Sequence, residues 1–565
     1  MRQSSSQLIA RFLAAIAQHS ILIALALMFA YPFVWMVATS AKVEREMFSP
    51  ERPLFPRAPL PRTRSPFVDM SEFPTPTIPD ELKTTRAPEL MPAILQCLDT
   101  FVRTEQLFHA ELSLPGAARE AVEGLWERLL ALTPHAVWTN PALTSALVAQ
   151  RVLRPHELSN VLARVIRSFS LRTCMARDDA LTIYTLAPHI PFEHQWRPLQ
   201  PSCVALSPAH EDDTPCAHIA YTFPTATNVL TLEGTFQLPF PASNLFQFTL
   251  AYRPDDTWHR LYVRIEGGGR VLVSQEPVYL FDINWSAAVW QRRSAQDEEV
   301  KIKRWIPLEE IATGPAHDLG PHTLRVTLEL RRSNLAHAWL GKLARNYRAA
   351  FKFIPFWRYV ATSIVLVILN IIGTLASSSL VAYSFARLRW PGRDLCFLLL
   401  LATLMVPPQV TMIPGFIIIK WLGWYNTLQP LWVFSFCGNA FFIFLLRQFM
   451  KGIPNDLEDA ARIDGCGFLR IYWHVILPLI KPSLAAIAIF TFMGVWNDFM
   501  GPLILLNDHR LYPLSLGLFS LNVQAGANLG MMMAGSFLMT LPVLVIFFFA
   551  QKYFIQGITL TGMKG

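Results

Sequence analysis

One stretch of the chain concentrates residues suited to contact with another protein. It runs Pro454-Asn455-Asp456-Leu457-Glu458-Asp459-Ala460-Ala461-Arg462-Ile463-Asp464-Gly465-Cys466-Gly467 and continues through Phe468 and Trp473 to Val475-Ile476-Leu477-Pro478. Residues 456–463 can form a short helix with small alanines, Ala460 and Ala461, on one face. The acids Asp456, Glu458 and Asp459 lie in its first turn, where negative charge suits the helix dipole. Gly465 and Gly467 permit a sharp turn, and a second amphipathic helix then leads to Leu477-Pro478, where an apolar run begins. A short helix with a small, acid-edged face is suited to sitting in another protein's cleft. The plainer reading is an amphipathic loop at the membrane surface whose spacing is accidental.

Other chemistry finds little support. The chain has no GxxxxGK[ST] phosphate loop, so it has no ATPase site of that kind. Its seven cysteines form no CxxC pair, which leaves zinc and thioredoxin-like readings without a basis. Cys203 and Cys216 could form a disulfide in an oxidising compartment. His218, His259 and His322 have no ligand-like spacing. A glycoside hydrolase would need two carboxylates about 5–10 Å apart, and nothing in the spacing of Glu266, Glu276 and Asp282 singles out a pair. Trp258, Trp285, Trp290 and Trp305 could stack on sugar rings, but core tryptophans explain them as well. No catalytic and no metal-ligating residues are therefore assigned.

The elements that must position the 454–478 loop belong to two regimes. Of 565 residues, 52% are hydrophobic and only 16% charged, against about 25% charged in an average soluble domain. This excludes a disordered or fibrous chain and argues against a wholly soluble enzyme. The 42 prolines and 16 tryptophans, with long stretches of ordinary soluble sequence, argue equally against a chain made only of membrane helices. The apolar run 21–38 is long enough to cross a bilayer and reads as a retained helix rather than a signal peptide. Five further spans are expected at about 359–385, 395–418, 428–449, 477–500 and 531–552, making six. Pro407-Pro408 and Pro414 should kink the third.

With the N-terminus inside, Arg2, Arg11, Arg387, Arg389, Arg393, Arg447, Lys451, Arg462, Arg470, Lys481, Lys552 and Lys564 fall on the cytoplasmic side, against Lys420 and Arg510 outside. That asymmetry fits the positive-inside rule and places about 43–355 outside the membrane. It also accounts for the net charge of +8 without a nucleic-acid partner. Polar residues within the spans, Asn370, Gln409, Thr411, Asn439, Asn497 and Asp498, are candidates for a translocation path or for helix packing.

The segment between the first and second spans divides by pattern. Residues 1–42 hold the cytoplasmic N-terminus and first span. Residues 43–80 are punctuated by prolines from Pro50 to Pro79 and read as an extended linker. Residues 81–175 show helical spacing, with Ala118, Val122, Leu125, Leu129 and Leu132 on one face. Residues 176–343 switch to period two. Leu324, Val326, Leu328 and Leu330 alternate with polar neighbours, and Gly267-Gly268-Gly269 separates two apolar runs as in a hairpin. A β-sandwich is the expected arrangement. Residues 344–565 form the membrane core.

The 454–478 loop resembles the EAA motif of bacterial ATP-binding-cassette importer permeases. Asp459-Ala460-Ala461 matches its acidic-Ala-Ala position, Gly465 its glycine, and Val475 with Leu477-Pro478 its end, with Asp in place of Glu and Val in place of Ile. Asn346-Tyr347, the run 378–387 ending in Phe385-Ala386-Arg387, Trp496-Asn497-Asp498-Phe499, and the closing Gly562-Met563-Lys564-Gly565 are similar to the smaller permease of maltose-type carbohydrate importers. The resemblance covers about 1–50 and 344–565, leaving 56–343 as an insertion. It implies a six-helix type I permease of the bacterial inner membrane carrying an inserted extracytoplasmic α plus β-sandwich-like domain. It implies coupling to a separate ATPase through Glu458, Asp459, Ala460, Ala461, Asp464, Gly465, Leu477 and Pro478, with Asn439, Asn497 and Asp498 facing the substrate path. The implied partners are an ATPase dimer that uses ATP and Mg, a second homologous permease, an extracytoplasmic solute-binding protein and membrane lipid; the chain itself would bind no cofactor. Importers of glycerol phosphate or polyamines, or a membrane-tethered sugar sensor on the same scaffold, are the competing functions.

Overall fold

The structure is a computed structural model that describes residues 5–48, 53–73, 80–105, 108–114, 116–132, 155–187, 189–211, 214–293, 305–311, 319–524 and 528–558. Pro50, Pro74, Pro76 and Pro79 of the expected linker, Arg2, and the closing Gly562 to Gly565 with Lys564 lie outside these residues. The chain divides into two compact units, Met1–Pro56 with Arg345–Gly565, and Arg57–Ala344.

The first unit is helical. Among the described residues, four of its helical stretches are long and apolar enough to cross a bilayer: Leu13–Ser40, Phe356–Arg387, Val433–Lys451 and Leu529–Gln551. Two further stretches pass that test only as bent pairs, Arg393–Thr403 with Pro408–Trp421 at 98° and Phe468–Leu479 with Lys481–Trp496 at 77°. The third and fifth expected spans are therefore not straight. Pro407 is extended (φ −62°, ψ 132°) ahead of Pro408 at the start of the next helix, because a residue before proline is pushed out of the helical region. The stretch 477–480 belongs to the loop, and the apolar helix begins at Lys481. The fourth is interrupted as well: a tight 3-10 turn, Val433–Cys437, ends at Gly438 (φ 85°, ψ 150°), and a regular helix resumes at Ala440. A side chain at Gly438 would be strained at that positive φ.

The end of the first helix is tied to the helix that begins at Leu335. The Asn346 side-chain amide donates to the carbonyls of Ser40 (2.7 Å) and Lys42 (3.2 Å), and the Tyr347 hydroxyl lies 2.8 Å from that of Ser40. Carbonyls at a helix C-terminus have no partner within the helix, and these bonds supply one.

The second unit joins a helical layer to a sheet. Helices Asp80–Glu105, Ala117–Leu132 and Pro155–Val165 share a core that includes Ile94, Leu98, Leu125, Leu130 and Leu162. Val122, Leu125 and Leu129 are buried as expected, whereas Ala118 is half-buried and Leu132 exposed at the helix end.

The sheet has fourteen strands in one hydrogen-bonded system, where two packed sheets were expected. Alternate residues of strands along its whole length, among them Phe248, Leu261, Val263, Trp290, Val326 and Phe236, enter a single core. Period two specifies which residues face inward, and a curled sheet satisfies it as well as a sandwich does. Leu324, Val326, Leu328 and Leu330 are all buried in the strand Thr323–Arg331. Arg260–Gly267 and Arg270–Ser274 pair as an antiparallel hairpin. Its two-residue turn, Gly268-Gly269, has φ of 58° and 74°, as a turn matched to strand twist requires.

The stretch read as a linker is part of this fold: Arg64–Ser65 pairs with Thr214–Thr222, and Phe67–Val68 with Ile166–Arg167. Proline is confined to the margins of such short strands, here at Pro61 and Pro66. The strands also begin ten residues before 176, at Ile166. Cys203 and Cys216 are not joined by a disulfide. They sit at opposite ends of one strand pair, Cys216 opposite Ala209 and Val204 opposite Tyr221, too far apart for a disulfide.

Candidate functional site

The short helix expected in the 454–478 loop is present as Asp456–Ile463. Its end is closed by two backbone bonds, Gly465 N–H to Arg462 C=O (3.0 Å) and Cys466 N–H to Ala461 C=O (2.9 Å). With Gly465 at φ 79°, this is the left-handed stop that glycine favours. The chain then runs through Phe468–Ile471 and a wide turn, Tyr472–Ile476, to Leu477–Leu479.

The acids separate by direction. Glu458 is turned inward: its Oε1 lies 3.1 Å from Arg387 Nε, with the two side chains 5% and 4% exposed. The pair is close as charges but not aligned as a hydrogen bond. Arg462 lies 3.8 Å from the other carboxylate oxygen. Asp459 is exposed and, among the described residues, its carboxylate meets only Arg462, at 3.5 Å. Ala460, Asp464 and Gly465 are exposed, Ala461 and Leu477 half-buried, and Pro478 exposed. Leu457, Ile463, Phe468 and Leu469 add exposed apolar surface, Ile463 at 86%. The outward surface thus carries Leu457, Ala460 and Ile463 together with the exposed acids Asp456, Asp459 and Asp464, and Glu458 serves the inner side.

Arg387 was legible in the sequence only as a positive charge within a family-like run. In the structure it ends the helix Phe356–Arg387 and donates to the Ile453 carbonyl at 2.6 Å, to the Met450 carbonyl and to the Asn455 side chain. Arg447 answers from the neighbouring helix, donating to the Phe385 carbonyl at 3.3 Å with its guanidinium 3.8 Å from the Phe397 ring centre. On the far side of the loop, the Tyr383 hydroxyl donates to the Phe468 carbonyl (3.2 Å), and the Ser379 and Tyr472 hydroxyls meet at 2.6 Å.

Of the polar residues expected along a path, Asn439, Asn497 and Asp498 are engaged with helix ends. Asn439 caps the helix Ala440–Lys451, accepting from the N–H groups of Phe441 and Phe442 at 3.0 and 3.2 Å. Asn497 donates to the Met493 carbonyl at 2.9 Å, and Asp498 accepts from Gly501 N–H at 3.1 Å. Asn370 bridges elements, donating to the carbonyls of Leu366 (2.8 Å) and Leu431 (2.9 Å). Gln409 is exposed. Thr411 lies in an apolar groove of about 420 Å³ with Phe416, Phe434, Gly501 and Leu505; Asn439, Asn497 and Asp498 do not line that groove.

In the second unit, Trp258 and Trp290 are core residues and cannot stack on an external sugar. Trp285 and Trp305 are half-buried, and the Arg172 guanidinium covers the Trp285 ring at 5.1 Å. Glu266 is held by Arg264 (2.7 Å) and Arg325 (3.8 Å), and Asp282 accepts from Ile283 N–H at 2.8 Å. Neither acid is poised as a general acid. His218 is buried, with its ring 2.8 Å from the Ser170 hydroxyl and 3.6 Å from Glu111, and burial pushes the Glu111 carboxyl above its ordinary range. His322 is exposed.

His259 is fully buried between the Arg62 carbonyl, 2.8 Å from Nε2, and the Ser333 N–H, 3.2 Å from Nδ1. That pairing assigns a neutral ring with its proton on Nε2. Burial lowers its pKa, with Asp255 opposing and Arg332 and Arg260 adding to the shift. Below the ordinary histidine value of about 6.5 the unfolded chain takes up a proton that the folded unit refuses, so stability is full above that pH and falls as pH drops towards the lowered value. Thermal unfolding of the second unit followed from about pH 7.5 to 5 should show this loss, and His259→Gln should flatten the slope.

Residues 377–559 match the family described as binding-protein-dependent transport system inner membrane component. Over 210 residues the chain is 36% identical to the arabinooligosaccharides transport system permease protein AraQ of Halalkalibacterium halodurans, covering 37% of this chain and 75% of that protein. The AraQ of Bacillus subtilis is likewise 36% identical over 210 residues, covering 37% and 74%. The sn-glycerol-3-phosphate transport system permease protein UgpE of Yersinia pestis is 31% identical over 227 residues, covering 40% and 78%. A crystal structure of a bacterial transporter involved in import of the acidic polysaccharide alginate aligns at 28% identity and a TM-score of 0.34, over 37% of this chain and 79% of that one.

Proposed function

This chain belongs to the family of binding-protein-dependent transport system inner membrane components, and from that premise we propose that it forms half of a sugar or oligosaccharide path whose ATPase is engaged through Asp456–Ile463. It is a permease subunit of an ATP-driven importer and has no ATPase site of its own; ATP is hydrolysed by a separate partner. The observation that carries the coupling role is the outward surface of this short helix, where Leu457, Ala460 and Ile463 stand exposed among Asp456, Asp459 and Asp464, ahead of a glycine stop at Gly465. Such a face fits a cleft on a soluble subunit.

The finer reading has six spans, the two bent pairs each counting as one, with both termini cytoplasmic and residues about 43–355 outside. The loop charges support that orientation. A second homologous permease completes the path, a solute-binding protein delivers the solute, and Mg accompanies ATP on the partner. The domain division follows the sequence pattern, 1–42, 43–80, 81–175, 176–343 and 344–565, with strands drawn in from 64–68. The names of the AraQ relatives support a sugar. The UgpE relative supports a second reading, a glycerol-phosphate solute.

Two measurements test this. Vesicles holding the assembled importer and its binding protein should take up labelled arabino-oligosaccharide on addition of ATP; uptake of sn-glycerol 3-phosphate alone would replace the sugar. In intact cells, a reporter at Leu181→Cys, exposed in the second unit, should react with an impermeant maleimide, whereas Ile463→Cys should react only after permeabilisation. The reverse pattern would overturn the orientation.

A further inference from the structure

The loop Asp456–Ile463 follows the helix Ala440–Lys451 and precedes Lys481–Trp496, so by chain order it would move with those two. Its side-chain bonds lead elsewhere. Asn455 on one flank, Glu458 within it, and Phe468 and Tyr472 on the other flank are all held by residues of one helix, Phe356–Arg387: Arg387, Tyr383 and Ser379. We propose that Phe356–Arg387 is the lever that receives the motion of the coupling helix, and that Arg387 is the positioning residue that fastens the two. This rests on the coupling role proposed above.

The chemistry of the clamp favours rigid transmission. Arginine presents its donors in a planar fork with fixed geometry. Here the fork takes two carbonyls at the end of the helix Ala440–Lys451, Met450 and Ile453, together with Asn455, while Nε faces the Glu458 carboxylate. Carbonyls in and just past the last turn of a helix carry partial negative charge, so the terminal nitrogens of the buried cation are satisfied there, while Nε meets the carboxylate as a charge alone. Lysine, a point charge on a flexible stem, cannot span the same set.

The lever also reaches the interrupted span. From the same helix, Asn370 donates to the Leu431 carbonyl at 2.9 Å and Ser377 to the Ser435 carbonyl at 3.0 Å. Both acceptors lie in the stretch of tight turns before Gly438. Non-helical backbone at membrane depth persists only where protein or a water-filled cavity satisfies it. A displacement of the coupling helix is thereby passed to the segment where the span is unwound.

The test uses the assembled importer in vesicles and reads solute taken up per ATP hydrolysed, alongside copurification of the ATPase. Arg387→Met should retain the ATPase within about threefold and lose at least about tenfold of uptake per ATP. Glu458→Gln, which keeps the shape, should lose less, and Arg387→Lys should fall between wild type and Arg387→Met. Uptake per ATP within twofold of wild type in Arg387→Met, or a loss of uptake no larger than the loss of ATPase, would overturn the proposal. Ile463→Asp separates the two claims. If it releases the ATPase while Arg387→Met stays coupled, only the clamp fails; if the ATPase stays bound to Ile463→Asp, the coupling helix itself is misassigned and the clamp falls with it.

Discussion

Replacing Ile463 by aspartate is expected to release the ATPase and abolish ATP-driven uptake while the chain still inserts in the membrane. Ile463 is the last residue of the helix Asp456–Ile463 and is 86% exposed, so the substitution touches no core. In the assembled importer its side chain would fill a desolvated cleft, and a carboxylate there would be buried without a partner. Interface anchors cost at least about 2 kcal/mol when removed, and burying an unpaired charge adds to that. A total of about 3 kcal/mol corresponds to roughly a hundredfold loss of affinity. Asp459→Ala is the informative contrast: its carboxylate is exposed and among the described residues meets only Arg462, so its removal should weaken docking by about tenfold at most, in the range of a rim charge. Copurification of the ATPase with each variant in detergent gives both values. Ile463→Asp bound as tightly as wild type would place the docking face elsewhere.

The difference between those two positions shows where reading the sequence stopped. The short helix, its acidic first turn and its glycine stop were all visible in the residues from Asp456 to Gly465. Which acid faces the partner was not, because neighbours on a helix point about 100° apart and no intrinsic property of Glu458 or Asp459 chooses between them. The choice is made by Arg387, whose partners lie 63 to 71 positions further along the chain. A contact at that separation leaves no local periodicity. The same holds for the sheet. Alternation identified the buried face of Thr323–Arg331 and the glycine hairpin beside it, since both are local. Whether the strands join in one curled sheet or split in two depends on pairings such as Trp290 with Ile306, between strands separated by residues with no strand pattern. The bends were half legible: Pro407-Pro408 announced one, but the interruption at Gly438 lies in a run of apolar residues where a single glycine is weak evidence of a break.

Trp290→Ala should destabilise the second unit far more than Trp285→Ala, although both tryptophans were read from the sequence as possible sugar platforms. Trp290 is 0% exposed, its ring lies 6.0 Å from that of Phe248, and it is paired with Phe248 across two neighbouring strands. Removing a buried tryptophan to alanine costs about 3–5 kcal/mol through lost transfer energy and the cavity left behind. In a unit of this size that lowers the unfolding midpoint by roughly 10 °C. The indole N–H of Trp290 has no hydrogen-bond partner among the described residues, and an unpaired buried donor itself costs about 1–3 kcal/mol. Trp290→Phe should therefore be tolerated far better than Trp290→Ala, because it keeps most of the packing and removes the orphaned donor. Trp285→Ala supplies the opposite control: that ring is half-buried beneath Arg172, and its loss should cost about 1 kcal/mol, the scale of a partly exposed cation–π contact. Hydrogen exchange of backbone amides in the strand Ser286–Arg292 of the full-length chain, followed with rising temperature, ranks the three variants. Equal protection in Trp290→Ala and Trp285→Ala would mean that the indole at 290 is not holding the two strands together, and the core assignment would fall.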